Sequence, residues 1–201
     1  MSDTKVKVIN ADPSALGLFG LAVITLVASS QKLGLTSGVS FVIPWAFFLG
    51  ASAQLIACLK DFKHNNVFGA TAFGAYAFFW YAMGLSWMIQ NGVLGEKLAG
   101  SADGKQLGVA FLAYLIFTLF MTIGAMETHK VLFIIFVLID FLFLGLTFSS
   151  FGIMPNFMHS VAAWAELGIA IVSFYGSAAA VLNNHFGKVF IPVGKPFGIF
   201  K

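Results

Sequence analysis

Two acidic residues lie inside long apolar stretches of the sequence, where a charge is costly. Asp140 is near the middle of one stretch, and Glu166 is in the first third of the next. A charged side chain at mid-membrane costs about 3 kcal/mol, so such residues usually face a cavity, form a pair or bind a proton. No lysine lies within these stretches to pair with them. Both are therefore candidate proton-coupling residues, and the alternative is a neutral acid in an interhelical hydrogen bond.

Uncharged polar side chains lie in the same kind of surroundings. Tyr76 and Trp80 are near the middle of another apolar stretch, and a tyrosine there needs a partner for its hydroxyl. Gln54, Thr71 and Thr118 are further neutral hydrogen-bonding residues in apolar stretches. We expect these side chains to face the interior of a helix bundle or a wet pathway. The alternative is that each one only packs helices together through a local hydrogen bond.

Catalytic and metal-binding motifs are missing from the sequence. The four histidines lie outside the apolar stretches or at their ends and form no HExxH or similar ligand spacing. Neither a phosphate-binding G-x-x-x-x-G-K-[ST] motif nor a nucleophile G-x-S-x-G motif occurs. The single cysteine, Cys58, excludes an internal disulfide. We therefore expect no enzyme activity, no metal site and no cofactor.

The composition indicates that a lipid bilayer surrounds the chain. Hydrophobic residues make up 59% of the 201 residues and charged residues only 9%, against roughly 25% charged in a typical soluble domain. Apolar stretches near the ~20 residues that cross a membrane occur six times. The six predicted spans are residues 15–30, 42–59, 67–89, 107–126, 131–151 and 161–182. The sequence thus predicts an all-α membrane protein with one domain over residues 1–201, a polar leader at 1–12 and a tail from about 184.

The lysine distribution predicts the orientation, because the chain has no arginine. Six spans place both termini on the same side, and eight of the 11 lysines fall on that side. Positive residues are retained in the cytoplasm, so both termini are expected there. The net charge of +3 is spread over loops without a basic stripe, which argues against a nucleic-acid partner.

Five segments resemble the signatures of one family of membrane proteins. Residues 12–20 read DPSALGLFG and are similar to an N-P-A-P-L-G-L signature, with Asp12 replacing its asparagine and Ala15 its second proline. Residues 50–54 and 66–80 resemble a G-G-x-A-Q … N-T-F-G-x-T-A-F-x-S-Y-G-x-F-W pattern. Residues 117–121 and 181–192 are similar to later motifs. The family is the acetate uptake transporter family, which includes bacterial acetate/succinate permeases and fungal acetate and ammonia-export proteins.

This resemblance implies a hexameric ring of six-helix protomers in the cell membrane, with a pathway through each protomer. It also implies a hydrophobic constriction, whose three positions correspond here to Leu21, Tyr76 and Ile139. Gln54 and Thr71 match polar positions near that pathway. Such neutral groups suit a carboxylate that must pass without being trapped. Trp80 and Thr118 are the further residues that we assign to the substrate pathway.

The expected function is passage of acetate and related small monocarboxylates, with succinate as a further candidate. The family resemblance is compatible both with proton symport and with channel-like anion passage, and the sequence leaves that choice open. Expected partners are small carboxylates, protons, lipid and further copies of the chain. The alternative is a carboxylate or ammonium sensor, or a regulatory membrane subunit, that transports nothing. The short soluble tails offer little for a sensor to present to a partner.

Overall fold

The computed structural model describes residues 11–200, and seven helices order this part of the chain. Six of them are long and apolar enough to cross a membrane. They are α1 (Ser14–Lys32), α2 (Val42–Lys63), α3 (Val67–Gln90), α5 (Gly104–Ala125), α6 (Lys130–Ser150) and α7 (Pro155–Phe186). The short helix α4 (Glu96–Gly100) lies in the loop between α3 and α5. The six predicted spans are thus confirmed as helices, while most of the predicted leader, residues 1–10, lies outside the described residues.

The helices extend beyond several of the predicted spans. α1 continues to Lys32 and α2 to Lys63, and α7 begins six residues before and ends four residues after the predicted limits of 161 and 182. The physical reason is that hydropathy marks the part of a helix in hydrocarbon, whereas the hydrogen-bonded helix continues into the polar interface. Gly187, at a φ of +63°, ends α7, and the C-terminal tail follows it.

Side-chain caps lie at the starts of three spanning helices, and two of them, at α3 and α6, share one end of the bundle. Asn66 Oδ1 accepts a hydrogen bond from the Gly69 N–H at 3.1 Å at the start of α3. His129 Nδ1 accepts one from the Leu132 N–H, also at 3.1 Å, at the start of α6. Both capping residues lie on the face of the bundle where α1, α3 and α6 begin and α2, α5 and α7 end. We call this the terminal face and the opposite one the distal face.

The middle of α2 is a π-helical segment, Ala46–Ala53. The Ser52 hydroxyl donates to the Phe47 carbonyl at 2.7 Å within it. Gln54 follows directly, and its side-chain Nε2 donates to the Gly50 carbonyl at 2.7 Å. Wide turns of this kind are rare and occur often at functional sites. Here the irregular turn ends at the first of the polar residues that the sequence singled out.

The six spanning helices form a ring in which each helix packs on its neighbours. The order around the ring is α3, α2, α1, α7, α6 and α5. α3 and α5 meet only lightly, so the ring closes there mainly through side chains. The Tyr114 hydroxyl of α5 donates to the Ala75 carbonyl of α3 at 2.9 Å across this closure. The ring encloses the space in which the cavity described next is found.

Candidate functional site

A cavity of about 920 Å³ opens between the helices at the terminal face. Its mouth is polar, and its walls become apolar further in. Four lining residues mark its inner part: Leu21 of α1, Gln54 of α2, Tyr76 of α3 and Ile139 of α6. At 1.5 Å per residue they lie about 10 to 14 Å from the ends of their helices at the terminal face. The cavity therefore reaches roughly the middle of a bilayer whose hydrocarbon core is about 30 Å thick.

The three residues assigned to the constriction lie in the wall of this cavity at similar depth. Leu21, Tyr76 and Ile139 are buried, with exposed fractions of 6%, 5% and 4%. They come from α1, α3 and α6, which are separated around the ring, so their side chains approach the cavity from different directions. The structure brings these three residues together, and their role as a constriction remains a prediction.

Aromatic rings fill the space on the distal side of Tyr76. The Phe143 ring stacks on Tyr76 with centroids 6.4 Å apart and planes 14° from parallel. Phe79 meets Phe143 edge to face at 5.1 Å, and Tyr114 and Phe111 pack on the same pair. Such offset and edge-to-face contacts are favourable beyond their buried area. In this structure the cavity is therefore open toward the terminal face and closed by packed rings toward the distal face.

The hydroxyl of Tyr76 is held by Thr118 of α5. Tyr76 Oη and Thr118 Oγ1 are 2.9 Å apart, and Thr118 is fully buried. Thr118 is not part of the cavity wall. The structure thus gives Thr118 a positioning contact with Tyr76 instead of direct contact with the cavity.

Two other residues assigned to the pathway also lie away from the cavity. Thr71 is exposed on the outer surface of α3. Trp80 is buried with its ring against Phe79 and Trp87, at centroid distances of 5.2 Å and 6.4 Å. The cavity wall contains neither. Hydropathy places such residues in a span but does not tell which face of the helix they occupy.

The two acidic candidates are both partnered by hydrogen bonds outside the cavity wall. Asp140 is half-buried between α5 and α6, where its Oδ2 accepts a hydrogen bond from Thr122 Oγ1 at 2.8 Å. Glu166 is 2% exposed and forms an ion pair with Lys32, with Oε2 and Nζ 2.9 Å apart. The expectation that no lysine reaches Glu166 is therefore wrong. The expectation failed because α1 continues past residue 30 and includes Lys32.

The mouth of the cavity carries acidic residues that the sequence did not single out as site residues. Asp61, at the end of α2, and Glu127, after α5, line it together with Asp12. No lysine lines the cavity within residues 11–200, and arginine is absent from the chain. One like charge about 6 Å away repels an anion by roughly 3 kcal/mol at an effective dielectric constant of 20. This wall therefore does not attract a free anion.

The one histidine among the lining residues adds little positive charge. His129 lies outside the spanning segments, and burial lowers its pKa, while the nearby Asp12 acts in the opposite direction. Its Nδ1 is already occupied as the acceptor of the Leu132 N–H, which requires that nitrogen to be unprotonated. His129 is thus best described as a neutral helix cap at the rim of the cavity.

The C-terminal tail, residues 187–200, folds back over one side of the mouth. The Asn183 side chain holds it through three hydrogen bonds of 2.7 to 2.8 Å to tail backbone. Glu127 Oε1 accepts the last two described backbone N–H groups at 2.7 and 3.0 Å. Val193 and Phe200 of the tail then form part of the cavity wall. The mouth is therefore shaped by the tail as well as by the helices.

A ring of membrane-crossing helices around a cavity that is open at one face and closed at the other defines a multi-pass membrane protein of the transporter and channel class. The chain belongs to the GPR1/FUN34/yaaH family, whose model matches residues 3–195. This finding confirms the family resemblance found in the sequence.

Two relatives and one solved structure show how closely the chain matches this family. The succinate-acetate/proton symporter SatP of Escherichia coli strain K12 is 29% identical over 195 residues, covering 97% of this chain and 99% of the relative. Acetate permease A of Emericella nidulans is 29% identical over 197 residues, covering 91% and 65%. A structure of the bacterial acetate channel SatP has a TM-score of 0.86 at 28% identity, covering 92% of this chain and 100% of that one. These relatives are transporters or channels, which confirms the expectation that the chain is not an enzyme.

Proposed function

We propose that this protein moves acetate and related small monocarboxylates across the cell membrane, with succinate as a further candidate. The observation that carries the proposal is the cavity that ends at Leu21, Tyr76 and Ile139, in a chain whose relatives are named for acetate transport. A short apolar tail fits an apolar constriction, and the carboxyl group can use the Gln54 side chain at the same depth. The proposed assembly is a homohexamer with one pathway in each protomer and both termini in the cytoplasm.

Transport through this cavity requires the rings on the distal side of Tyr76 to separate. The constriction excludes water when its apolar side chains are in contact, and it admits a small solute when they part. Larger or multiply charged acids are disfavoured, because they need a wider opening and lose more hydration. Relatives are named both as a proton symporter and as a channel, and either mechanism can use this geometry.

The sequence also proposed Asp140 and Glu166 for proton coupling. Asp140 directly follows Ile139 but turns toward Thr122, and Glu166 is held by Lys32. Both assignments remain predictions, and neither carboxyl group lines the cavity of this structure.

Labelled-acetate flux into liposomes tests the proposal. Vesicles that contain the purified protein should take up acetate faster than protein-free vesicles prepared in parallel, after subtraction of the passive flux. Uptake no faster than in protein-free vesicles would contradict the proposal. Acetate binding without flux would instead favour the sensor alternative.

A further inference from the structure

Two unpaired hydrogen-bond acceptors lie on one face of α2 in the cavity wall. Gln54 Oε1 and Asp61 Oδ2 are buried, and neither has a hydrogen-bond partner within residues 11–200. The two residues are 0% and 2% exposed, and both line the cavity. Seven residues make two turns, so they share a helix face and lie about 10 Å apart along it. A buried acceptor without a donor is energetically costly. This pair of acceptors is therefore suited to a ligand with an O–H or N–H donor group.

The carboxyl group of Asp61 is oriented by its neighbours. Its Oδ1 accepts a hydrogen bond from Asn66 Nδ2 at 3.1 Å, and Asn66 in turn caps α3 through the Gly69 N–H. Gly69 packs so closely against Oδ2 that a Cβ at this position would overlap it. One oxygen is thus fixed by the start of α3, while the other is buried without a hydrogen-bond partner among residues 11–200.

Several titratable groups surround Asp61. Asp12, just before α1, and His64, at the end of α2, both act on it electrostatically. Glu127 and His129, between α5 and α6, line the same cavity. No lysine is present in the cavity wall formed by the described residues. The acidic residues and the lack of lysine in this wall favour a neutral ligand over an anion.

A second titratable side chain lies one turn before Asp61 on α2. This is Cys58, which is buried and contacts the backbone of α3 where Gly74 has no side chain. Cys58 is not part of the cavity wall. Asp61 is thus the buried carboxyl group of α2 that the cavity reaches.

We propose that Asp61 exchanges a proton with the substrate in the cavity, so that the acid passes the constriction undissociated. This inference rests on the proposed function. A carboxylic acid of ordinary pKa is more than about 99% ionised at pH 7, so a proton must be supplied inside the cavity, before the substrate reaches the constriction. In one direction the Asp61 O–H bond breaks, the proton binds the carboxylate oxygen of the substrate, and the Asp61 carboxylate then takes a new proton from water at the mouth. In the other direction the acid gives its proton to Oδ2, leaves as the anion, and Asp61 releases the proton to water at the mouth.

Gln54 has the complementary role at the depth of the constriction. Its Oε1 can accept a hydrogen bond from the O–H of an undissociated acid, which a carboxylate anion cannot offer. Its Nε2 is directed at the Gly50 carbonyl, which keeps the amide in this orientation. One proton crosses with each acid molecule in this scheme.

Equilibrium exchange of labelled acetate in proteoliposomes, with equal pH on both sides, tests the inference. We expect Asp61→Asn to slow exchange at least tenfold at pH 7.5, with the deficit shrinking toward pH 5.5, where the bulk solution supplies more undissociated acid. Asp61→Glu should restore most of the rate. Asp103→Asn, the same change at an exposed loop residue, should behave as the wild type. A structural defect would instead lower the rate equally at every pH.

The outcomes separate this inference from the proposed function. If the wild type exchanges acetate no faster than empty vesicles, the proposed function fails. If the wild type exchanges acetate but Asp61→Asn is unaffected, or is slowed equally at all pH values, the role of Asp61 is overturned. A pH-dependent loss in Asp140→Asn but not in Asp61→Asn also overturns it. The role of Asp61 is also overturned if Asp61→Asn loses methylammonium flux while its acetate exchange is unchanged.

Labelling of the wild-type protein gives a second measurement that needs no variant. A hydrophobic carbodiimide reacts with protonated carboxyl groups in apolar surroundings. We expect an adduct on the peptide that contains Asp61, formed faster at pH 5.5 than at pH 7.5 and slowed by acetate. An Asp61 peptide that remains unmodified at both pH values would overturn the inference.

Discussion

The Tyr76 hydroxyl donates its proton to Thr118. The two oxygens are 2.9 Å apart, and Thr118 Oγ1 already donates its single proton to the Tyr114 carbonyl at 2.7 Å. Thr118 can therefore only accept from Tyr76. The bond crosses the α3–α5 closure of the ring, where the two helices meet only lightly. It fixes the orientation of a cavity-lining ring through a residue that the cavity does not reach.

The first prediction concerns this bond. Thr118→Val keeps the shape of the side chain but removes the acceptor, and it should destabilise the protein by about 1 to 3 kcal/mol. Tyr76→Phe should have a similar effect, and the double variant should lose less than the sum of the two. Thermal unfolding in detergent measures all three. Strictly additive losses would show that the hydroxyl groups do not interact.

The second prediction concerns the width of the constriction. Leu21→Ala should raise the flux of butyrate relative to acetate several-fold, because it removes apolar volume beside Tyr76. The matched control is Leu26→Ala on the same helix, where the side chain is 42% exposed on the outer surface. Flux of both acids into proteoliposomes gives the ratio. An equal ratio of butyrate flux to acetate flux in Leu21→Ala and Leu26→Ala would contradict the assignment of Leu21 to the constriction.

The third prediction concerns the ion pair between α1 and α7. Glu166→Gln leaves Lys32, which is only 13% exposed, without its partner. Breaking a buried pair on one side costs about 3 to 5 kcal/mol, whereas replacing both partners with apolar residues is often nearly neutral. We therefore expect a large fall in melting temperature for Glu166→Gln and a much smaller one for Lys32→Met combined with Glu166→Met. Equal melting of Glu166→Gln and the wild type would show that the pair adds no stability.

The fourth prediction concerns pH and His129. Burial lowers the pKa of this histidine below the unfolded value of about 6.5, so the unfolded chain binds the proton first as the pH falls. Its stabilising contribution is complete above that value and is lost as the pH falls from there toward the folded pKa. His129→Asn keeps a capping acceptor without titrating, and should reduce the fall in melting temperature between pH 7.5 and 5.

The control for this prediction is His159→Asn, a change at an exposed histidine in the first turns of α7. It should leave the pH dependence of the melting temperature as in the wild type. Parallel melting curves for the wild type and His129→Asn over the same pH range would refute the assignment to His129.

The number of membrane-spanning helices followed from apolar runs of membrane-crossing length, because that signal depends on composition alone, whereas the short helix α4 was not predicted. Which face each residue occupies did not follow, since Thr71 and Ala72 are neighbours in sequence while only Ala72 lines the cavity. Lys32 and Asp61, whose contacts inside the bundle were not predicted, lie two residues beyond the predicted span ends at 30 and 59. Hydropathy ends a span where the first charges appear, yet a helix can carry such charges inward to a partner or a cavity.

The sequence spacing of Gln54 and Asp61 could have predicted that Asp61 also lies in the cavity wall. Their seven-residue separation places them on one face, and Gln54 was already assigned to the pathway. The π-helical segment before Gln54 has no comparable signal in the sequence. The Tyr76–Thr118 bond also needed the tertiary structure, because the two residues are 42 positions apart.

A pair of cysteine variants tests whether acetate passes through the cavity beside Tyr76. In a Cys58→Ala background, Ala72→Cys places a thiol in the cavity wall, whereas Thr71→Cys places one on the outer surface of the same helix. Labelled-acetate flux is measured in proteoliposomes before and after treatment with a bulky maleimide. Passage through this cavity predicts loss of flux for Ala72→Cys and no change for Thr71→Cys. Full flux through Ala72→Cys after confirmed labelling of its thiol would contradict it.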